Sequence, residues 1–175
     1  MNFKEEIKTY NFQNAPYIIK MGLNDIAIIV KENNPIETST KIIAKYVSNE
    51  TESSFLININ EDLEENFNNL LLNIINTQKI KLLINLTINN KDDGFDIDIE
   101  TSKHLSAVYQ TIKILEKALK ENHIKYIYNK NYQDSLKYNN IDIIKMQLNK
   151  THTNENTLEN ISNALIKFIT EYLKH

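Results

Sequence analysis

The chain has no cysteine, no arginine, and only two glycines and two prolines in 175 residues. Without cysteine it can form no disulfide, thiolate nucleophile or Cys-ligated zinc centre. Without arginine it has no planar guanidinium fork, so bidentate grips on phosphate, carboxylate or guanine are excluded. All 20 basic residues are lysines, the net charge is −3, and no lysine-rich run is interleaved with aromatics. Nucleic acid is therefore not an expected partner. Abundant Ile, Asn and Lys with absent Arg is the composition an AT-rich genome produces. The first residues, Met1 to Glu6, are charged and carry no apolar core of a signal peptide. Apolar runs such as Ile26–Val30 fall far short of the roughly 20 residues that span a bilayer. A cytoplasmic protein without membrane association is expected.

What is present is globular. The hydrophobic fraction of 41% and charged fraction of 25% suit a packed core, and the length suits one domain over residues 1–175. With so little Gly and Pro, punctuation falls to Asn, Asp and Ser. Asp25–Lys31 is a short apolar run, as in a strand covered on both faces. A helix is expected from Pro35 to about Ser48, then a strand over Phe55–Asn60. Asn60 is placed to cap a helix running to about Thr77, whose Leu63, Phe67, Leu70, Leu71, Ile74 and Ile75 recur at helical spacing. Lys79–Thr87 is the strongest strand and is expected to be central. In Phe95–Glu100 strict alternation puts Asp96, Asp98 and Glu100 on one face. Helices follow over Ser102–Asn122 and Thr157–Leu173, with strands at Lys125–Tyr128 and Ile141–Leu148 between them. Alternating strands and helices imply right-handed crossovers and a three-layer α/β/α domain with a mixed, mainly parallel sheet. The two strand–strand steps imply some antiparallel pairing.

In such a sheet ligands sit beyond the carboxyl ends of the strands. No G-x-G-x-x-G, Walker or G-x-S-x-G motif follows any strand, so dinucleotide, P-loop and serine-elbow chemistry are unsupported. The four histidines, His104, His123, His152 and His175, form no H-x-H or H-E-x-x-H pair. His123, at a helix C-terminus, is expected to be structural, its cation favoured by the dipole; only His152 follows a strand. The acids Asp92, Asp93, Asp96, Asp98 and Glu100 could hold a hard cation but read first as a solvated face. Tyr126, Tyr128 and Tyr132 are expected to pack at the sheet edge.

Four segments, taken in order over roughly residues 25–152, resemble the N-formylglutamate amidohydrolase family and its relatives, the phage-type poly-γ-glutamate hydrolases. IAIIVKENNPIETSTKIIA (Ile26–Ala44) is similar to the family's strand, P-H-G-G segment and I-E-x-x-T helix start. LLINLTI (Leu82–Ile88) resembles the strand ending in D-L-H-G or I-x-H-G. FDIDIETS (Phe95–Ser102) resembles D-x-x-[IV]-G-T, and MQLNK (Met146–Lys150) resembles Q-[IL]-E-[IL]. The resemblance implies a phosphorylase/hydrolase-like fold and, in the family, a zinc-dependent hydrolase.

It also implies where the site would lie. Glu32 stands at the first family His and Lys31 at its Pro. Glu37 keeps the acidic ligand position, Thr87 stands at the second His, Gln147 is retained, and Asn149 replaces the catalytic Glu. Threonine is a poor zinc ligand and an amide cannot act as a general base, whose loss typically costs on the order of 10²–10⁴-fold in rate. No catalytic set and no cofactor are therefore expected, and Glu37 is the one position at which a metal ligand survives. Oxygen donors at Glu32, Glu37 and Asn149 would suit Mg²⁺ or Ca²⁺ better than zinc. The first expectation is a catalytically inactive relative acting as a binding or scaffold protein for a small molecule or protein. The alternatives are an active amidohydrolase with a rearranged site, using His152 or the Asp96/Asp98/Glu100 row, and a small α/β interaction domain without cleft function.

Overall fold

The computed structural model describes residues 17–31, 39–58, 64–90, 93–101, 108–129, 141–152 and 154–175. Strands β1 (Tyr17–Lys20), β2 (Ile26–Lys31), β3 (Ser54–Asn58), β4 (Leu82–Asn89), β5 (Ile97–Thr101), β6 (Tyr126–Asn129) and β7 (Asp142–Asn149) form one seven-stranded sheet in the order β1-β3-β2-β4-β7-β5-β6. Helices α1 (Ser39–Thr51), α2 (Glu64–Gln78), α3 (Val108–Glu121) and α4 (Glu155–Tyr172) join them, with a short 3₁₀ turn at Lys150–His152. Pairings β2–β3, β2–β4, β4–β7 and β5–β6 are parallel, while β1–β3 and β5–β7 are antiparallel. The sheet is mixed and mainly parallel, as expected. The antiparallel step differs in detail: β7 inserts between β4 and β5, so the β5–α3–β6 unit reverses direction at the sheet edge.

Burial explains the central strands. β2 reads Ile-Ala-Ile-Ile-Val with every residue buried, because β3 and β4 flank it and helices cover both faces. Ile26, Ile28, Val30, Ile84, Leu86, Ile144, Met146 and Leu148 point to the first face, where α1, α3 and α4 pack. On α4 the stripe Leu158, Ile161, Leu165, Phe168 and Ile169 repeats at helical spacing and is buried throughout. The opposite face packs Ala27, Ile29, Leu56, Leu83 and Ile143 against Phe67, Leu71, Ile74 and Ile75 of α2. These are the three layers.

Several local readings shift. β1 was not anticipated: it is a four-residue edge strand with an exposed Ile19 and no sustained alternation. α4 begins two residues earlier than expected, because Asn154 caps it, accepting from Thr157 N at 3.0 Å. Punctuation is also not confined to Asn, Asp and Ser. Glu52, Lys79 and His123 occupy left-handed backbone (φ 56°, 53° and 58°) just beyond α1, α2 and α3, where glycine is usual. His123 thus has the structural place expected of it. Tyr126 and Tyr128 pack against the first core, and the Tyr128 hydroxyl hydrogen-bonds Thr101 Oγ1. Asn60, Asp92, His104 and Tyr132 lie outside the described residues, as does the helix start at Pro35. Among the described residues no helix is long and apolar enough to cross a membrane.

Candidate functional site

β4 and β7 run parallel in register, so their carboxyl ends stand side by side. On β4, Ile84, Leu86 and Ile88 face the first core, which sends Asn85, Thr87 and Asn89 to the opposite face. The same alternation sends Lys145, Gln147 and Asn149 of β7, and Asp98 and Glu100 of β5, to that side. The register then builds three polar rungs. Asn85 pairs with Lys145 and Lys145 with Glu100; Thr87 pairs with Gln147 and Gln147 with Asp98; Asn89 pairs with Asn149.

Two atoms of this face are unsatisfied. Asn85 Oδ1 and Thr87 Oγ1 are buried without a hydrogen-bond partner among the described residues. A buried polar atom left unpaired costs about 1–3 kcal/mol, so a partner supplied by a bound molecule stabilises it. Of the other groups, Lys145, Glu100, Asn89, Asp98 and Asn149 are engaged. Lys145 Nζ lies 3.1 Å from Glu100 Oε2, and both side chains are four-fifths buried. Asn89 Nδ2 reaches Asp98 Oδ2 at 3.4 Å. Asn149, 2% exposed, accepts through Oδ1 from Thr151 N at 3.2 Å and Thr151 Oγ1 at 2.9 Å, and its Nδ2 donates to Asp93 Oδ1 at 3.4 Å. It ties β7 to the following turn.

The expected solvated acid face is corrected for Asp98 and Glu100, while Asp93 is exposed as expected. Asp98 is only 3% exposed, and Glu100 is paired with Lys145. Antiparallel pairing with β7 sets these acids beside Gln147 and Lys145 on the polar face. Asp96 instead closes the neighbouring edge, accepting from Lys125 N at 2.8 Å. Because Glu100 would be left charged and mostly buried, Lys145→Met is expected to lower unfolding free energy by about 1–3 kcal/mol. Denaturant titration measures this, and the Lys145→Met/Glu100→Gln double variant should recover most of the loss.

Of the anticipated site residues, Thr87, Gln147 and Asn149 come together on adjacent strands. Glu32 and Glu37 lie outside the described residues, and His152 is described only as backbone of the 3₁₀ turn. Asn85, Asn89 and Lys145 were not anticipated, although the alternation Ile-Asn-Leu-Thr-Ile-Asn in β4 signals a polar face. Among the described residues, what stands here does not fit zinc, which the resemblance implies. Thr87, Gln147 and Asn149 offer a hydroxyl and two amides, the Asn149 amide oxygen is already taken, and no group of three or more His, Asp or Glu that could hold a metal ion occurs among the described residues.

No protein-family profile matches the chain, and no curated protein matches it in sequence. Solved structures do match in three dimensions. A bacteriophage poly-γ-glutamate hydrolase superposes with a TM-score of 0.65 at 10% identity, over 98% of this chain and 96% of the other. The N-formylglutamate amidohydrolase of Ralstonia eutropha JMP134 gives 0.67 at 7% identity, over 92% and 99%. The catalytic domain of an N-acetylmuramoyl-L-alanine amidase from Paenibacillus polymyxa var. colistinus gives 0.60 at 12% identity, over 86% and 98%. At such identities it is the fold that is shared, and that shared fold is the α/β architecture of amidohydrolases and amidases.

Proposed function

We propose that this chain is a non-catalytic binding protein on a hydrolase fold. Its ligand is an amide-rich molecule, such as an acyl-amino acid or a γ-glutamyl peptide, held at the ends of β4 and β7. The observation that carries the proposal is the pair of buried, unpartnered oxygens, Asn85 Oδ1 and Thr87 Oγ1, on a face where Glu100, Lys145, Asp98 and Asn149 already have partners. Thr87 Oγ1 can donate and accept, and Asn85 Oδ1 accepts, which suits the N–H and C=O groups of a peptide-like ligand. Neither can activate water. A general base must take up a proton, and neither Thr87 nor Asn149 does so at neutral pH.

Purified protein is expected to hold no stoichiometric zinc by elemental analysis and to leave N-formylglutamate and γ-glutamyl peptides uncleaved. It is expected to bind a γ-glutamyl dipeptide reversibly by calorimetry, with Thr87→Val weakening binding by about 3–10-fold, as one hydrogen bond warrants. Turnover abolished by Glu37→Ala, with about one zinc per chain, would show an active enzyme with a rearranged site instead.

A further inference from the structure

The opposite end of the sheet, where β2, β4 and β7 begin, carries a cavity. Asp25 O accepts from Lys81 N at 2.8 Å, and Lys81 O accepts from Asp142 N at 2.9 Å, so Asp25, Lys81 and Asp142 line up across three strand starts. Beside them a cavity of about 590 Å³ is lined by Thr111 and Ile114 of α3 and by Tyr172 and Leu173 at the end of α4. Its size suits a small molecule.

The charges there are unevenly matched. Lys81 Nζ grips Asp25 Oδ2 at 2.8 Å. Lys113, also in the lining, holds its ammonium 4.2 Å from the centre of the Tyr109 ring. Asp142 alternates with Ile144 and therefore faces α3 and α4, yet its carboxylate has no hydrogen bond or ion pair with any described residue. Burial alone raises its pKa. The Tyr172 hydroxyl is also pushed up, first by burial and then by the negative charges of Asp142 and Asp25. The carboxyl end of α4, with its outward-directed carbonyl dipoles, adds to the same negative potential. A half-buried carboxylate left unpaired at a cavity wall costs stability, and a cation entering the cavity removes that cost.

We propose that this cavity binds a primary ammonium group on an apolar stem, with Asp142 as counter-ion and Ile114, Leu173 and the Tyr172 ring flanking the stem. The site is separate from the cleft at the other strand ends, and neither depends on the other. A free alkyl amine and a lysine side chain present the same chemistry.

The test is titration of the full chain at pH 7 with n-butylamine, 1,4-diaminobutane and Nα-acetyl-lysine amide, followed by calorimetry and amide NMR shifts. Saturable one-to-one binding is expected, with shifts concentrated at Gln110–Ile114 and Tyr172–Leu173. Tighter binding of the diamine identifies free amines as the ligand class, and tighter binding of the lysine amide identifies a peptide. Asp142→Asn should weaken binding at least about tenfold, whereas Asp25→Asn, which removes a carboxylate already held by Lys81, should change it less than about threefold. Asp142→Asn should also raise the ligand-free melting temperature by about 1–3 °C, which shows that lost binding is not lost folding. Absence of saturable binding by all three amines at about 10 mM, or binding that Asp142→Asn leaves intact, would overturn the proposal.

Discussion

Gly22→Ala is expected to destabilise the protein by about 3 kcal/mol or more, lowering its melting temperature by roughly 6–12 °C. Gly22 lies between β1 and β2, buried against the backbone that leads from α1 into β3. A Cβ there would fall well inside contact distance of Ser53 C, Glu52 O and Ser54 N, all main-chain atoms that cannot swing aside. The same turn is clasped by Gly22 N donating to Ser54 Oγ at 2.9 Å, Leu23 N to Glu52 O at 2.7 Å, and Asn24 Nδ2 to Thr51 O at 2.7 Å. Accommodating a methyl group would therefore break several bonds at once. Gly94→Ala is the control. Gly94 sits at φ 81° with no heavy atom within 4 Å of a built Cβ, so only the backbone conformation resists the change and the cost should be about 1–2 kcal/mol. Thermal melts of the two variants separate close packing from backbone strain. Equal losses would show that the clasp yields.

The contrast shows which parts of the molecule a sequence can announce. β2 and β4 are legible because strands buried on both faces must be nearly continuous in apolar residues, and Ile26–Val30 and Leu82–Leu86 are mostly that. α4 is legible from its Leu158-to-Ile169 stripe. The helix ends are not. With only two glycines in the chain, the left-handed positions after α1, α2 and α3 fall to Glu52, Lys79 and His123, residue types with no turn signature. The polar cleft is half legible. Alternation in β4 places Asn85, Thr87 and Asn89 together, but burial of Asp98 depends on β7 inserting beside β5, which no local pattern encodes. The cavity at the strand starts is least legible, since Asp25, Lys81 and Asp142 meet only through the strand order.

Restoring the residue types of the resembled hydrolases should convert the cleft into a metal site. In the triple variant Glu32→His, Thr87→His, Asn149→Glu, zinc affinity is expected to rise by at least about 10³-fold, equivalent to about 4 kcal/mol. Thr87 is in register with Gln147, and Asn149 stands two residues further along the same face of β7, so side chains at 87 and 149 project from neighbouring strands toward one space. Imidazole and carboxylate at those positions would replace a hydroxyl and an amide with groups that bind zinc at about 2 Å. The change has a structural cost. Asn149 Oδ1 accepts from both Thr151 N and Thr151 Oγ1, and the longer glutamate reproduces that geometry poorly, so the variant should be less stable by about 1–2 kcal/mol. Zinc in excess should more than return this, because a ligand that binds only the folded chain stabilises it by about 2.7 kcal/mol at a hundred times its dissociation constant. The melting temperature measured with and without zinc reads both effects in one experiment. A folded triple variant whose melting temperature ignores zinc would show that position 32 does not converge with positions 87 and 149. The likeness to metal-dependent hydrolases would then end at the fold, while the wild-type cleft would keep its unpaired Asn85 and Thr87 oxygens as a site for polar, uncharged ligand groups.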